Sequence, residues 1–139
     1  MPISKEQALA VAQEFMDATY ELGKYRFQHF QNLSPAQVQS VEDAEWELLN
    51  YSSSFITKAV GIALADLQAD LQTIADAIAA AKQVVKTIDA VRDVIDVAAA
   101  LIQLGGAIAT GEPDVIVKKA KDLLGVAQAI LKKPAPTDG

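Results

Sequence analysis

The sequence predicts an all-α protein. Between Pro35 and Pro113 the chain has no proline, and this stretch contains a single glycine before Gly105. Its apolar residues recur at alternating spacings of three and four, which is the period of an amphipathic helix face. Hydrophobic residues make up 51% of the chain, and many are alanine, the strongest helix former. We therefore expect an elongated antiparallel helical bundle with a long heptad-patterned central helix; a compact four-helix bundle is the alternative.

The length and charge of the chain limit its function. At 139 residues we expect one all-helical domain over residues 1–133, followed by a disordered C-terminal tail at 134–139. The net charge of -6 repels phosphate backbones, so nucleic acid is not an expected partner. Cysteine is absent, which excludes disulfides and thiolate chemistry.

Two segments bear on membranes and export. Residues 1–7 are polar and begin a helix, unlike a signal peptide. The most apolar run, residues 97–110, is about 14 residues long, shorter than the roughly 20 that span a bilayer. These observations predict a cytoplasmic protein without a signal peptide or transmembrane helix, and export by a non-classical route stays open.

The first helix is predicted from Ser4 to about Asn32. Ser4 and Gln7 have the spacing of a capping box, in which each side chain bonds the backbone N–H of the other residue. Two neighbouring apolar stripes follow, so we expect a wide buried face that touches more than one helix. These stripes are Val11, Phe15, Ala18, Leu22 and Tyr25, and Met16, Tyr20, Gly23, Phe27 and Phe30.

The second helix is predicted to begin at Pro35. Ser34 caps it, Pro35 suits the first helical position, and Gln37 completes a second capping box. A tight turn at this point makes the first two helices antiparallel neighbours. Ser52–Ser54 is a place where the second helix could kink or end, because serine competes for backbone hydrogen bonds.

The apolar ladder predicts one unbroken helix from about Phe55 to Leu104. The stripe keeps its phase throughout, whereas a turn between helices normally resets it. Such a helix is on the order of 75 Å long. The branched residues around 84–88 lower helix propensity, and a break near residues 82–87 would instead close the ladder within a compact four-helix monomer.

The last helix is predicted to begin at Pro113. Gly105–Gly106 and Thr110–Asp114 end the preceding apolar run, and Pro113 suits the first turn of a new helix. We expect this helix to fold back on residues 80–104. Its apolar face consists of Ile116, Ala120, Leu123, Ala127 and Ile130.

No residue pattern supports catalysis. His29 has no partner at a telling spacing, so we interpret it as a boundary residue. Asp89, Asp93 and Asp96 have the spacing of one helix face, and the flanking Lys82, Lys86 and Arg92 indicate a solvated salt-bridge surface rather than a cation site. Ser52–Ser54 lacks a nucleophile elbow. We expect no catalytic, cofactor-binding or metal-binding residues, and hence not an enzyme.

The apolar surface of the long helix is the basis of the functional prediction. In a continuous helix, the first and last helices cover its two ends and leave the middle short of partners. We expect that stripe to bind a second copy of the chain, giving a homo-oligomer, or another helical protein. Trp46, among acidic residues, is the candidate partner anchor. The interaction stripe consists of Leu67, Leu71, Ile74, Ile78, Val85 and Ile88.

Action on membranes is the alternative function. The apolar segment at 94–109 contains small residues, which allow close helix packing in lipid. Long helices with a short apolar segment near a turn are similar to the arrangement in helical pore-forming toxins, a resemblance that implies insertion or pore formation. No motif of that family accompanies the arrangement. Coating of a lipid surface is the other form of this alternative.

Overall fold

The computed structural model describes residues 2–132, with the backbone alone at residues 55–57. These residues form an all-α bundle, as predicted. Its helices are α1 (Lys5–His29), α2 (Pro35–Ala59), α3 (Leu67–Thr87), α4 (Val91–Thr110) and α5 (Pro113–Leu131), with a 3-10 turn at Phe30–Asn32 after α1. The predicted tail at 134–139 lies outside the described residues.

The helices pack around one core in the order α1, α2, α4, α5, α3. Each helix has two main neighbours in this order, and α3 also touches α4. Helices α1 and α2 are antiparallel, as predicted: the N–H of Ile3 bonds the carbonyl of Ile62 at one end, and Arg26 pairs with Glu45 toward the other. Helix α5 folds back on α3 and α4, also as predicted.

The core is one continuous apolar cluster to which every helix contributes. Phe15, Leu22 and Tyr25 of α1 are buried, as their spacing predicts. Each buried side chain of this size stabilises the fold by roughly 1.5–3 kcal/mol. The largest fully buried side chains are Phe15, Leu22, Leu48, Leu64, Ile74, Ile78, Leu101, Leu104, Ile116 and Leu123.

The prediction of one continuous helix from residue 55 to 104 is wrong. A first break, at residues 60–66, separates α2 from α3. Gly61 has a φ of 91°, a left-handed conformation that suits glycine, and Asp66 caps α3 by accepting a hydrogen bond from the N–H of Ala69. The backbone groups released by the break bond the N-terminal segment: Ile3 donates to Ile62 and accepts from Gly61. A residue distant in sequence therefore provides the hydrogen-bond partners for backbone groups at this break.

A second break, at residues 88–90, separates α3 from α4. Ile88 is extended, with φ -100° and ψ 126°, after a run of branched residues that favour such backbone. The Tyr25 hydroxyl donates to the backbone carbonyl of Asp89 at 2.5 Å. This break lies just after residues 82–87, where the four-helix alternative places it. Together the two breaks give five α-helices rather than four over residues 2–132. The stripe keeps its phase because α3 and α4 face the same core.

Both predicted capping boxes are present. The N–H of Gln7 donates to the Ser4 hydroxyl at 3.1 Å while Ser4 donates to the Gln7 side chain at 2.9 Å. Ser34 and Gln37 make the same pair of bonds at 2.8 and 3.1 Å. Each helix start therefore pairs two backbone donors that would otherwise lack a partner.

The serine and glycine segments do not end helices where the sequence indicated. Ser52–Ser54 lies inside α2, and each hydroxyl donates to a carbonyl on the preceding turn without interrupting it. Helix α4 continues through Gly105 to Thr110. A Cβ at Gly105 would lie 2.5 Å from the Tyr51 ring, so glycine allows α2 to approach α4 closely.

Candidate interaction surface

The predicted interaction stripe lies inside the bundle. Ile74, Ile78 and Val85 are buried, and Leu67, Leu71 and Ile88 are half-buried against the core. The neighbours of α3 are α1, α5 and α4. The expectation that the middle of the ladder lacks partners within the chain is therefore wrong, because it depended on one continuous helix. Another chain reaches the buried members only if the bundle opens.

A different apolar surface is exposed on α1. Tyr20, Phe27 and Phe30 are 70%, 83% and 56% exposed. They belong to the second stripe of the first helix, for which burial is predicted, and that prediction is wrong. Helix α1 has only two main neighbours, and its exposed stripe lies about 120° around the helix from Phe15 and Leu22.

Helix α2 extends this surface. Trp46 is 64% exposed, and with Leu49 it lines a groove of about 340 Å³ that Thr19 and Arg26 border from α1. Thr19 and Arg26 directly precede Tyr20 and Phe27, so Trp46 and Leu49 lie next to the part of α1 that carries these rings. We call this surface the aromatic face; it consists of Leu9, Met16, Tyr20 and Phe27 of α1, Phe30 of the 3-10 turn that follows, and Trp46 and Leu49 of α2.

An ion pair fixes α1 against α2 beside the aromatic face. Arg26 donates from Nε to Glu45 Oε2 at 2.7 Å and from Nη2 to Oε1 at 3.3 Å. The hydrogen bond to Glu45 raises the pKa of the Arg26 guanidinium. A Cβ at Gly23 would lie 2.9 Å from Glu45 Oε1, so this glycine leaves room for the carboxylate. The two-point geometry holds the helices in a fixed register.

The polar residues singled out in the sequence meet at the α3–α4 connection. His29 stacks on Tyr25 with ring centroids 4.1 Å apart, and its Nε2 lies 3.3 Å from Asp89 Oδ1. Burial, with the nearby Asp89 charge, raises the pKa of Tyr25. Asp89 lies outside the helices, so it does not share a helix face with Asp93 and Asp96. Across residues 2–132, no three potential metal ligands gather at one point.

The predicted salt bridges of Lys82 are also different. Its Nζ lies 2.8 Å from Glu14 and 3.8 Å from Asp17, both on α1, rather than beside Asp89. Lys82 therefore links α3 to α1, on the side of α1 away from α2. Because the carboxylates are partly exposed, we expect a modest contribution to stability.

Three comparisons bear on identity. No family model, curated protein or solved structure matches this chain. Its function is inferred from its own surface and core.

Helix α4 has the composition of a membrane span. Within residues 2–132 it is the one helix long and apolar enough to cross a bilayer, with 20 residues and a mean hydropathy of 1.5. The apolar run that we identified in the sequence, residues 97–110, is shorter than this helix, because α4 also includes residues 91–96. Much of α4 faces α2 and α5, and a core helix has the same composition.

The stripe of α1 that forms the aromatic face is visible in the sequence, although its periodicity led us to predict burial. From Leu9 to Phe30 these exposed apolar residues are spaced by seven, four, seven and three positions, with Gln13 and Gly23 at the intervening positions of the repeat. A helix in a small bundle buries one side, so of two stripes about 120° apart one can stay exposed. Which of them stays exposed depends on the tertiary packing.

Proposed function

We propose that this chain is a non-catalytic interaction protein that binds an amphipathic helix, from another copy or another protein, on its aromatic face. One observation supports the proposal: four large aromatic side chains are exposed together while Phe15 and Tyr25 are buried. At about 150–250 Å² per aromatic side chain, those four expose on the order of 500 Å². The aliphatic members raise this toward the roughly 800 Å² that each partner contributes to a standard interface.

The shape of the face favours a helical partner. Its α1 residues occupy a 3.5-residue repeat in which Gln13 and Gly23 hold the other two positions, and this period lets two helices stay in contact along their length. From Leu9 to Phe30 the stripe is about 32 Å long, at 1.5 Å per residue. Trp46 and Leu49 stand beside the stripe on α2, and a tryptophan in a groove is a common anchor for binding energy. In this proposal Trp46 keeps its predicted role.

A synthetic helix tests this function. A peptide of leucine and lysine, about 20 residues long, covers most of the stripe and complements the net charge of -6. Trp46 is the chain's only tryptophan, so its emission reports on the aromatic face. We expect saturable binding with a shift of that emission to shorter wavelength.

Two matched variants separate apolar contact from bulk charge. Phe27→Ala removes a ring from the aromatic face, and Val126→Ala removes exposed apolar surface from α5. We expect the first to weaken binding about tenfold or more and the second to leave it unchanged, because hot-spot aromatics contribute about 2 kcal/mol. Equal binding by both variants would show that charge alone attracts the peptide, and the proposed function would be wrong.

Insertion of α4 into a membrane is the second candidate function, and its length and hydropathy favour it. Its small residues permit close helix packing in lipid. Ala99 is exposed on α4, so Ala99→Asp is compatible with the bundle, whereas a charge near the centre of a span costs about 2.5–3.5 kcal/mol. We expect wild type to release dye from vesicles and Ala99→Asp to release much less. Absence of release by wild type, or equal release by both, would refute insertion of α4.

A further inference from the structure

We infer that the occupant of the aromatic face is a second copy of this chain, with the two α1 helices antiparallel about a twofold axis between Tyr20 and Gly23. The inference rests on the proposed function and specifies its partner. In a twofold interface the same surface is used by both copies, so it must be complementary to itself. The sizes and charges along α1 meet that requirement.

Size complementarity follows from the order of residues on α1. With the axis between Tyr20 and Gly23, the ring of Tyr20 lies opposite Gly23 of the second copy, next to the Glu45 carboxylate that lies 2.9 Å from the Cβ position of this glycine. By the same symmetry Phe27 lies opposite Met16, a flexible side chain that adapts to an aromatic ring. Phe27 thus packs on an adaptable side chain, and Tyr20 packs on a glycine backbone bordered by the Glu45 carboxylate.

Charge complementarity selects the antiparallel direction. Asp17 and Lys24 flank the stripe on the side of α1 away from α2. In the antiparallel pair, Asp17 of each copy lies beside Lys24 of the other, which gives two ion pairs. In a parallel pair these residues would instead face Ala12 and Thr19 of the second copy, so neither ion pair would form. Lys24 is exposed and forms no ion pair with any residue in the described part of the chain, while Asp17 lies 3.8 Å from Lys82.

Trp46 lies at the level of the proposed axis. It lines the same groove as Thr19 and Arg26, which bracket Tyr20 and Gly23 along α1. The twofold operation therefore brings the α2 helices, with their two Trp46 rings, to the same level. Their exposed surface adds to that of α1 in one continuous contact, which brings the buried area near that of a standard dimer.

The experiment uses reversed charges in the full-length chain. Sedimentation velocity from low micromolar to submillimolar concentration is expected to show a monomer–dimer equilibrium for wild type. Lys24→Asp and Asp17→Lys each place like charges at both ion-pair positions, so each variant alone is expected to dimerise about tenfold more weakly. Mixed in equal amounts, the two variants regain opposite charges at both positions, and the mixture is expected to dimerise like wild type.

Two controls keep the result specific. Lys121→Asp makes the same change on the exposed surface of α5 and is expected to leave the dimer unchanged. Asp17→Lys places a second positive charge near Lys82, so the thermal unfolding of this variant is measured. If the variant is unfolded, a mixture of Lys24→Asp with Asp17→Asn replaces it. We expect this mixture to dimerise more strongly than Lys24→Asp alone.

Each failure has a distinct meaning. Wild type that stays monomeric throughout the concentration range would overturn the second copy as occupant, while peptide binding at the aromatic face would still support the proposed function. A wild-type dimer that the charge reversals do not weaken, or that mixing does not restore, would overturn the antiparallel pairing. Loss of both the dimer and the peptide binding would overturn the inference and the proposed function together.

Discussion

Two phenylalanines of one helix are expected to respond in opposite ways to the same substitution. Phe15 is 0% exposed and Phe27 is 83% exposed, although both lie on α1. Phe15→Ala removes a core ring and leaves a cavity, so we expect the free energy of unfolding to fall by about 3–5 kcal/mol. Phe27→Ala removes little buried surface and introduces a stronger helix former, so we expect a change within about 0.5 kcal/mol.

Association is expected to show the reverse order. A ring of about 200 Å² at 83% exposure offers a partner roughly 160 Å² to cover, which at about 25 cal/mol/Å² is at most about 4 kcal/mol. Ordering the interface consumes part of this gain, so about 2 kcal/mol, or roughly thirtyfold in Kd, is the expected loss for Phe27→Ala.

Urea unfolding followed by circular dichroism measures the first quantity, and sedimentation or peptide titration measures the second. The unfolding measurements are made at concentrations where the chain is monomeric, because association would stabilise the folded state. If Phe27→Ala lowered monomer stability by 2 kcal/mol or more, its ring would be part of the core, and the aromatic face would not be an exposed surface.

Three further predictions concern the fold. Gly105→Ala should lower the melting temperature, because its Cβ meets the Tyr51 ring. Gly125→Ala has open space around it and should raise stability by about 0.5–1 kcal/mol. A gain in stability from both variants would contradict the close approach of α2 and α4. Ser34→Ala should cost about 0.5–2 kcal/mol in urea unfolding, and an unchanged midpoint would argue against the cap. Tyr25→Phe should cost about 0.5–1.5 kcal/mol by removing the hydrogen bond to the α3–α4 connection. Because folding raises the pKa of Tyr25 above its usual 10.0, wild-type stability should fall as the pH rises past that value, and a titration in which the phenylalanine variant falls equally would assign the effect to other groups.

The sequence by itself determined the local features of this protein. The caps at Ser4 and Ser34 depend on residues three positions away, so spacing and residue type suffice to predict them. The all-α class and the burial of Phe15 and Leu22 follow from the helical period of the apolar residues, which is also a local pattern in the sequence. The absence of recognisable catalytic patterns was likewise read from residue types, and that expectation remains a prediction.

Tertiary structure decided where the ladder breaks and which stripe stays exposed. The connection at 60–66 forms because Ile3 supplies hydrogen bonds to its backbone, and the connection at 88–90 is held by Tyr25. Both partners are distant in sequence, so no local pattern contains them. The exposure of Phe27 and Trp46 likewise depends on how many neighbours α1 and α2 have. Periodicity tells which residues share a face of a helix, but only packing decides whether another helix covers that face.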